Sequence, residues 1–143
     1  MIKQNTSENL VNSIYLGIGS NLGNKINNIE KAKFKLSQNN IKILQSSSYY
    51  ESLSWPDPKF PKYFNVVIEV STHLKPLKLF NLCKEIEVLL GRKKTSKNSP
   101  RKCDIDIIDY NNQKNTKGKI ILPHPRMHVR NFVLFPLFEL NKH

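Results

Sequence analysis

Two aspartates separated by one residue, Asp104 and Asp106, are the clearest candidates for chemistry in this 143-residue sequence. They lie in an apolar run at 103–109 that predicts a strand. Because side chains alternate across a strand, both carboxylates should share one face while Ile105 and Ile107 face the core. Such oxygen ligands suit Mg²⁺ carried in with a nucleotide. The alternative is an edge-strand charge pair neutralised by nearby lysines.

The arginines are clustered, whereas lysines run along the whole chain. All four arginines fall in the C-terminal half: Arg92, Arg101, Arg126 and Arg130. A guanidinium group matches two phosphate oxygens at once, so this clustering indicates a phosphate site, with chance clustering of a rare residue as the alternative. His124, between two prolines, is either a phosphate donor in the same site or an ordinary loop histidine.

Three aromatic residues are candidates for stacking on a flat ligand. Trp55 lies in a proline-rich loop, and Tyr63 and Phe132 could join it in stacking on a heterocycle, although aromatic residues are also common in cores. The glycines at 17–23 follow a strand, but their spacing differs from a dinucleotide-binding fingerprint. We interpret them as a tight strand-to-helix turn.

Composition limits the classes of protein to consider. Twenty-three Lys and Arg against eleven Asp and Glu give a net charge of +12, which excludes an acidic disordered chain and favours an anionic partner. No apolar run approaches the roughly 20 residues of a membrane span, and the N-terminus lacks a secretory signal, so we expect a cytoplasmic protein. Cys83 and Cys103 are too few for a zinc site or a disulfide scaffold and should be thiols.

These residues need a scaffold, and the hydrophobic periodicity predicts one domain over 1–143 with a loose lead-in at 1–11. Apolar spacing predicts helices after Asn21 or Asn24, with Ile26, Ile29, Ala32 and Leu36 inside, and from Pro76 to Gly91. Strands are expected at 14–18, 41–50, 63–71 and 103–109, with a return strand at 119–122. This order is that of an α+β, ferredoxin-like split βαβ fold, a mainly antiparallel sheet with helices on one face and the other face free for a site.

Several motifs, in this order, resemble those of the 6-hydroxymethyl-7,8-dihydropterin pyrophosphokinase family. Residues 100–108 are similar to its Pro-Arg-x-x-Asp-Leu-Asp signature, and 122–132 to the segment that follows. Residues 17–23 look like the family's first strand and turn, and 50–52 and 63–65 like its pterin-side segments. The resemblance covers nearly the whole chain and implies transfer of pyrophosphate from ATP to the pterin hydroxymethyl group, releasing AMP.

The resemblance also implies roles for individual residues. Asp104 and Asp106 would hold two Mg²⁺ ions and, with Arg92 and Arg101, would be catalytic. The ATP ligands would be Arg92, Lys94, Arg101, Lys119, His124 and Arg130. The pterin ligands would be Ser52, Leu53, Trp55, Tyr63, Asn65 and Phe132, with Tyr63 and Phe132 sandwiching the ring and Asn65 bonding its polar edge. The expected partners are ATP and the pterin, with no nucleic acid or membrane partner. The chain is expected to be a monomer.

Some positions depart from the family pattern. Ser99 replaces the usual Gly or Ala, and the basic loop before it is one residue short. Lys94 stands where some relatives have a second loop arginine. These departures leave open a catalytically impaired relative with a binding role. A second alternative is an RNA-binding module, since the same strand order occurs in RNA recognition domains and a net charge of +12 favours polyanions.

Overall fold

A computed structural model describes residues 10–54, 56–91, 99–116, 118–125 and 131–141, without the side chains of Asn12, Asn131 and Phe132. Within these ranges the chain forms five strands and three helices. In order they are β1 (Val11–Ser20), α1 (Lys25–Gln38), β2 (Lys42–Ser46), β3 (Tyr50–Ser52), β4 (Tyr63–Thr72), α2 (Pro76–Leu89), β5 (Asp104–Tyr110) and α3 (Asn131–Leu140). No helix in the described part of the chain has the length and apolar character needed to cross a membrane.

The strands form one antiparallel sheet in the order β2-β4-β1-β5, and β3 also pairs with β4. β2 and β3 lie end to end along the same edge of β4. The predicted single strand at 41–50 is therefore wrong, because the chain leaves the ladder after Ser47. The backbone N–H of Ser47 still donates to the carbonyl of Val67 at 2.9 Å, and its hydroxyl accepts from the Val67 N–H at 2.9 Å. The predicted α+β fold with an antiparallel sheet is confirmed.

One face of the sheet carries the main core. Inward residues of β1, β4 and β5 pack against α1 and α2, among them Ile14, Leu16, Ile18, Val66, Ile68, Ile105 and Ile107. In α1, Asn24 is the N-cap and accepts from the N–H of Asn27 at 3.1 Å. Ile29, Ala32 and Leu36 are buried as predicted, but Ile26 is 44% exposed, so the prediction that it joins the apolar stripe is wrong.

The start and end of α2 match their sequence signals. Pro76 lies in the first turn, where its missing N–H costs no helical hydrogen bond. Gly91 follows the C-cap with a φ of 103°, which a residue without a side chain adopts most readily.

The second face of the sheet is partly covered, which corrects the expectation that it is free. The C-terminal helix α3 lies against it, and Val133 and Leu140 pack with Val67 of β4 and Ile108 of β5. The uncovered part of this face carries the side chains at the beginning of β4 and of β5. A site on the second face is therefore confined to one end of the sheet.

The predicted return strand at 119–122 is also wrong. Only an isolated bridge between Asn115 and Leu122 forms there. The Asn115 side chain donates to the carbonyl of Ile120 at 2.9 Å, so a side chain replaces the backbone partner that a strand would supply. The segment after β5 is therefore a loop that closes over the end of that strand.

Candidate active site

Three neighbouring strands bring Asn65, Gly19 and Asp104 into one row. Gly19 of β1 pairs with Asn65 of β4 on one side and with Asp104 of β5 on the other. In an antiparallel sheet, residues directly opposite each other point to the same face. Since adjacent strands are about 4.8 Å apart, the Cα atoms of Asn65 and Asp104 are separated by about 10 Å.

The next row has the same layout, with Gly17 between Val67 and Asp106. Asp104 and Asp106 therefore lie on one face of β5, as the alternation predicted, and Ile105 and Ile107 lie in the core. Both aspartates are half-buried. Because β1 presents glycine in both rows, it contributes no side chain to the groove between the amide of Asn65 and the two carboxylates, which is bordered by the side chains of Asn65, Tyr63 and Ile108.

A side chain at position 19 would collide with this groove's wall. A Cβ built on Gly19 would lie 3.0 Å from Asn65 Oδ1 and 3.2 Å from Tyr63 Cδ1. At Gly17 it would approach the end of the Ile108 side chain, at 3.2 Å. A side chain at 19 would therefore require Tyr63 or Asn65 to shift by a few tenths of an ångström.

Asn65 is held in one orientation by its neighbours in β3. Its Nδ2 donates to the carbonyl of Tyr50 at 3.1 Å and to the hydroxyl of Ser52 at 2.9 Å. With both N–H groups donated within the protein, the amide offers its carbonyl oxygen to a ligand. This oxygen is the atom closest to the space above Gly19. The end of the groove at Asn65 therefore presents a hydrogen-bond acceptor.

The loop that follows β3 is fixed at two points. Ser54 is buried, and its hydroxyl donates to the carbonyl of Pro61 at 2.6 Å. The Asn21 amide donates to Ser54 Oγ at 3.0 Å and to the Pro61 carbonyl at 3.1 Å. Leu53, a predicted pterin ligand, is 61% exposed beside these contacts. The loop is thus ordered by buried polar groups while Leu53 stays accessible to a ligand.

Arg101 is placed beside the carboxylates at the other end of the groove. Its Nη1 lies 3.8 Å from Asp104 Oδ1, and its Nε donates to the carbonyl of Ser99 at 3.2 Å. Its side chain is only 15% exposed. This partial burial keeps a guanidinium group next to a carboxylate, where it can meet a phosphate that binds there.

A cavity of about 220 Å³ continues from Asp106 to the loop after β5. Its lining includes Phe80, Ile105, Asp106, Lys119, Ile120 and His124. The backbone N–H of His124 donates to the Ile108 carbonyl at 2.7 Å, which fixes this loop to the end of β5. Lys119 and His124, which are 5 residues apart in the sequence, therefore line one cavity together with Asp106.

Glu87 is a buried acid that the sequence reasoning missed. It is 1% exposed on α2, and its Oε2 accepts from the backbone N–H of Ile105 at 2.7 Å. Lys84 lies 3.2 Å from the same oxygen. The position of Glu87 four residues after Cys83, on the side of α2 that carries the buried Leu79 and Ile86, was the available signal, because a buried carboxylate needs a partner. Glu87 fixes the strand residue between the two candidate metal ligands.

Several predicted site residues lie outside the described residues: Trp55, Arg92, Lys94 and Arg130. The backbone of Phe132 belongs to α3, but its side chain is also outside them. The structure therefore brings together Asn65, Tyr63 and Ser52 at one end of the groove. Arg101 and the aspartates lie at the other end, and Lys119 and His124 line the adjoining cavity.

The donor set at β5 fits magnesium bound together with a phosphate ligand. Among the described residues no cluster of three or more His, Cys, Asp or Glu forms a complete metal cage. Mg²⁺ in proteins is held by one or two carboxylates plus substrate phosphates and water, which is what Asp104 and Asp106 offer. A carboxylate pair beside an arginine and a basic cavity is typical of enzymes that act on phosphate groups.

Comparison with known families agrees with this class. The model of the family described as 7,8-dihydro-6-hydroxymethylpterin-pyrophosphokinase matches residues 15–142. The chain belongs to this family, whose members are pyrophosphokinases, a class of transferase.

Relatives of two sizes are similar to the chain. It is 36% identical over 128 residues to the 2-amino-4-hydroxy-6-hydroxymethyldihydropteridine pyrophosphokinase of Aquifex aeolicus, covering 90% of this chain and 79% of the relative. It is 39% identical over 137 residues to the folic acid synthesis protein fol1 of Pneumocystis carinii, covering 94% of this chain and 18% of the relative. The corresponding protein of Dictyostelium discoideum is 40% identical over 90% of this chain and 20% of the relative. The chain thus spans about a fifth of the length of these two larger relatives.

Proposed function

We propose that the chain transfers pyrophosphate from ATP to 6-hydroxymethyl-7,8-dihydropterin, releasing AMP, as a step in folate biosynthesis. The observation that carries the proposal is the row Asn65, Gly19 and Asp104. It combines an amide suited to a heterocycle with carboxylates suited to magnesium, separated by the groove above Gly19 and Gly17. The names of the family and of the relatives support the same reaction.

On the pterin side, the acceptor oxygen of Asn65 would receive a hydrogen bond from an N–H on the polar edge of the ring. Tyr63 would stack on one face of the ring and Phe132 on the other. Ser52, Leu53 and Trp55 would contribute from the loop after β3, chiefly through their backbone. The hydroxymethyl group would then extend along the groove towards β5.

On the nucleotide side, Asp104 and Asp106 would hold two Mg²⁺ ions together with the phosphates of ATP. When bound, these ions would neutralise charge on the transferring group and on the departing AMP. Arg101 would pair with a phosphate oxygen beside Asp104, and Lys119 and His124 would orient the phosphates from the cavity. Arg92, Lys94 and Arg130 are proposed as further phosphate ligands.

The reaction needs positioning more than a covalent protein nucleophile. The pterin hydroxyl oxygen would form a bond to the β-phosphorus of ATP, and the bond between this phosphorus and the oxygen bridging to AMP would break. AMP leaves with that oxygen, and the hydroxyl proton is released to water. Holding the two reactants in line across the groove is the contribution that the described residues are built to make.

We also propose that the sheet is of the ferredoxin-like type. Counting β2 and β3 as one interrupted edge strand, the order β2-β4-β1-β5 is the one expected from a split βαβ unit. RNA recognition domains share this order. The position of Asp104 and Asp106 on the open face disfavours RNA, because two carboxylates repel a phosphate backbone. We propose a cytoplasmic monomer without nucleic acid or membrane partners.

An ATP-binding and turnover experiment tests the function and separates it from its rivals. ATP is titrated with and without Mg²⁺, and AMP is then measured after the pterin is added. We expect Mg²⁺-dependent ATP binding and AMP release only when the pterin is present. Binding without AMP release would indicate the impaired relative, and binding of single-stranded RNA without binding of ATP would indicate the RNA-binding module.

A further inference from the structure

The carboxylate of Glu139, near the end of α3, makes four hydrogen bonds to the break between β2 and β3. The backbone N–H of Ser48 donates to both oxygens at 3.2 Å, and the Ser48 hydroxyl donates to Oε2 at 3.0 Å. The hydroxyl of Tyr50 donates to Oε1 at 2.7 Å. A single side chain thus connects the helix on the second face to the edge of the sheet.

The break in the edge strand explains how this acid reaches the backbone. Ser47 still bonds with Val67, but the next residues leave the ladder before β3 begins at Tyr50. The N–H of Ser48, an exposed residue, therefore lies outside the ladder, and the Glu139 carboxylate accepts from it. Hydrogen bonding to Glu139 is also the main reason that the pKa of Tyr50 is raised above its ordinary value.

Tyr50 links this contact to the groove. It pairs directly with Asn65 in the β3–β4 ladder, and its carbonyl accepts one of the two hydrogen bonds that orient the Asn65 amide. The other is accepted by the hydroxyl of Ser52, two residues further along the same short strand. The position of β3 therefore sets which atom Asn65 presents to a ligand.

We propose that Glu139 is a positioning residue for the pterin end of the site. It ties α3 to Ser48 and Tyr50, and through them it fixes the Asn65 amide with its carbonyl oxygen towards the groove. This inference rests on the proposed function for the identity of the ligand. The contact itself concerns only described residues of this chain.

The chain contains a matched control one residue away. The hydroxyl of Tyr49 donates to Glu30 of α1, so this pair has the same chemistry as Tyr50 and Glu139. Tyr49 precedes β3, and the residue paired with Asn65 in the β3–β4 ladder is Tyr50. Glu30→Gln therefore removes an equivalent tyrosine–glutamate contact without acting on the groove.

Glu139→Gln is the informative variant because glutamine keeps the shape but has one acceptor oxygen. Its amide nitrogen can only donate, so at least one hydroxyl that now donates to the carboxylate must accept instead, and every contact loses the carboxylate's charge. We expect KM for the pterin to rise about tenfold, the equivalent of one charge-assisted hydrogen bond, with kcat and KM for ATP within about twofold of wild type. Tyr50→Phe, which breaks only one branch, should have a smaller effect that is not additive with Glu139→Gln.

A second measurement does not depend on the reaction. Hydrogen exchange of the Asn65 side-chain NH₂ protons, followed by NMR, should be faster in Glu139→Gln and unchanged in Glu30→Gln. Equal exchange in the two variants, or an unchanged pterin KM in an active enzyme, would overturn the role of Glu139. If wild-type protein releases no AMP with the pterin, the proposed reaction fails, while the exchange data still decide whether Glu139 orients Asn65.

Discussion

Asn21 and Arg101 bind each other's backbone although 80 positions separate them in the sequence. The N–H of Arg101 donates to Asn21 Oδ1 at 2.8 Å, and the N–H of Asn21 donates to the Arg101 carbonyl at 3.1 Å. The buried side-chain amide of Asn21 also donates to the hydroxyl of Ser54 and to the carbonyl of Pro61. One side chain therefore joins the loop on the proposed pterin side to the residue that begins the phosphate side.

This arrangement would pre-orient Arg101 as the proposed phosphate ligand. Arg101→Ala should lower kcat for AMP release by about 100-fold, because a guanidinium fixed near developing charge is not replaced by scattered lysines. Steady-state kinetics measure the effect, with Lys31→Ala on the exposed side of α1 as the control. If the two variants lose the same activity, only net charge matters and the assignment of Arg101 is wrong.

The two aspartates of β5 should be required for turnover but not for folding. Asp104→Asn and Asp106→Asn should each lower kcat by at least about 100-fold, because each removes a negatively charged ligand for Mg²⁺. Asp109→Asn is the control on the same strand, since Asp109 lies beyond the irregularity in the β1–β5 pairing and bonds with the N–H of Asn112. AMP release is measured beside thermal unfolding. Near-wild-type turnover in either site variant would contradict the metal assignment.

Adding a methyl group at position 19 should damage the pterin end of the groove. In Gly19→Ala the new Cβ would force Asn65 or Tyr63 to move, since it would lie within 3.2 Å of both side chains. We expect KM for the pterin to rise about tenfold or more, roughly one lost hydrogen bond, with a much smaller change in KM for ATP. Gly17→Ala meets only the flexible end of Ile108 and should have the weaker effect. The reverse order of effects would show that the pterin does not lie above Gly19.

Glu87 should contribute to stability far more than an exposed acid on the same helix. Glu87→Ala leaves the N–H of Ile105 without its carboxylate, and we expect the free energy of unfolding to fall by about 2–3 kcal/mol. Glu85→Ala, on the exposed side of α2, should change it by less than about 0.5 kcal/mol. Urea denaturation of both variants provides the comparison. Similar losses would mean that the buried hydrogen bond contributes little.

Stability at alkaline pH should depend on Tyr49. Burial, together with its hydrogen bond to Glu30, raises the pKa of Tyr49 from 10.0 to about 12. Between these values the unfolded chain loses the phenol proton and the folded chain keeps it, so the free energy of unfolding falls as pH rises. Tyr49→Phe should make this fall shallower between pH 10 and 12. Denaturation at pH 8, where both states are protonated, gives the reference, and identical slopes in the two proteins would contradict the pKa shift.

Features with short sequence range could be predicted. The shared face of Asp104 and Asp106 follows from strand alternation, and the limits of α2 follow from Pro76 and Gly91. The resemblance to a family supplied Asn65, Tyr63 and Arg101, which the structure places along one groove or beside it. Each of these inferences used residues close together in the chain or a motif with a fixed order.

Features that depend on distant contacts could not be predicted. The partner of Glu139 is 91 residues away at Ser48, and the partner of Asn21 is equally invisible in local periodicity. The position of α3 against Val67 and Ile108 is likewise set by packing and not by its own sequence pattern. The contacts by which Glu139 and Asn21 position residues of the candidate site are therefore visible only in the folded structure.

The glycine groove has a consequence for how activity and folding depend on each other. β1 and β4 are central strands and β5 is an edge strand bonded to β1, so the separation of Asn65 from Asp104 is a property of the backbone ladder that joins these three strands. Paired core strands open close to global unfolding, whereas loops open locally and often. The geometry that aligns the reactants should thus persist up to the melting temperature, and heat inactivation should coincide with global unfolding.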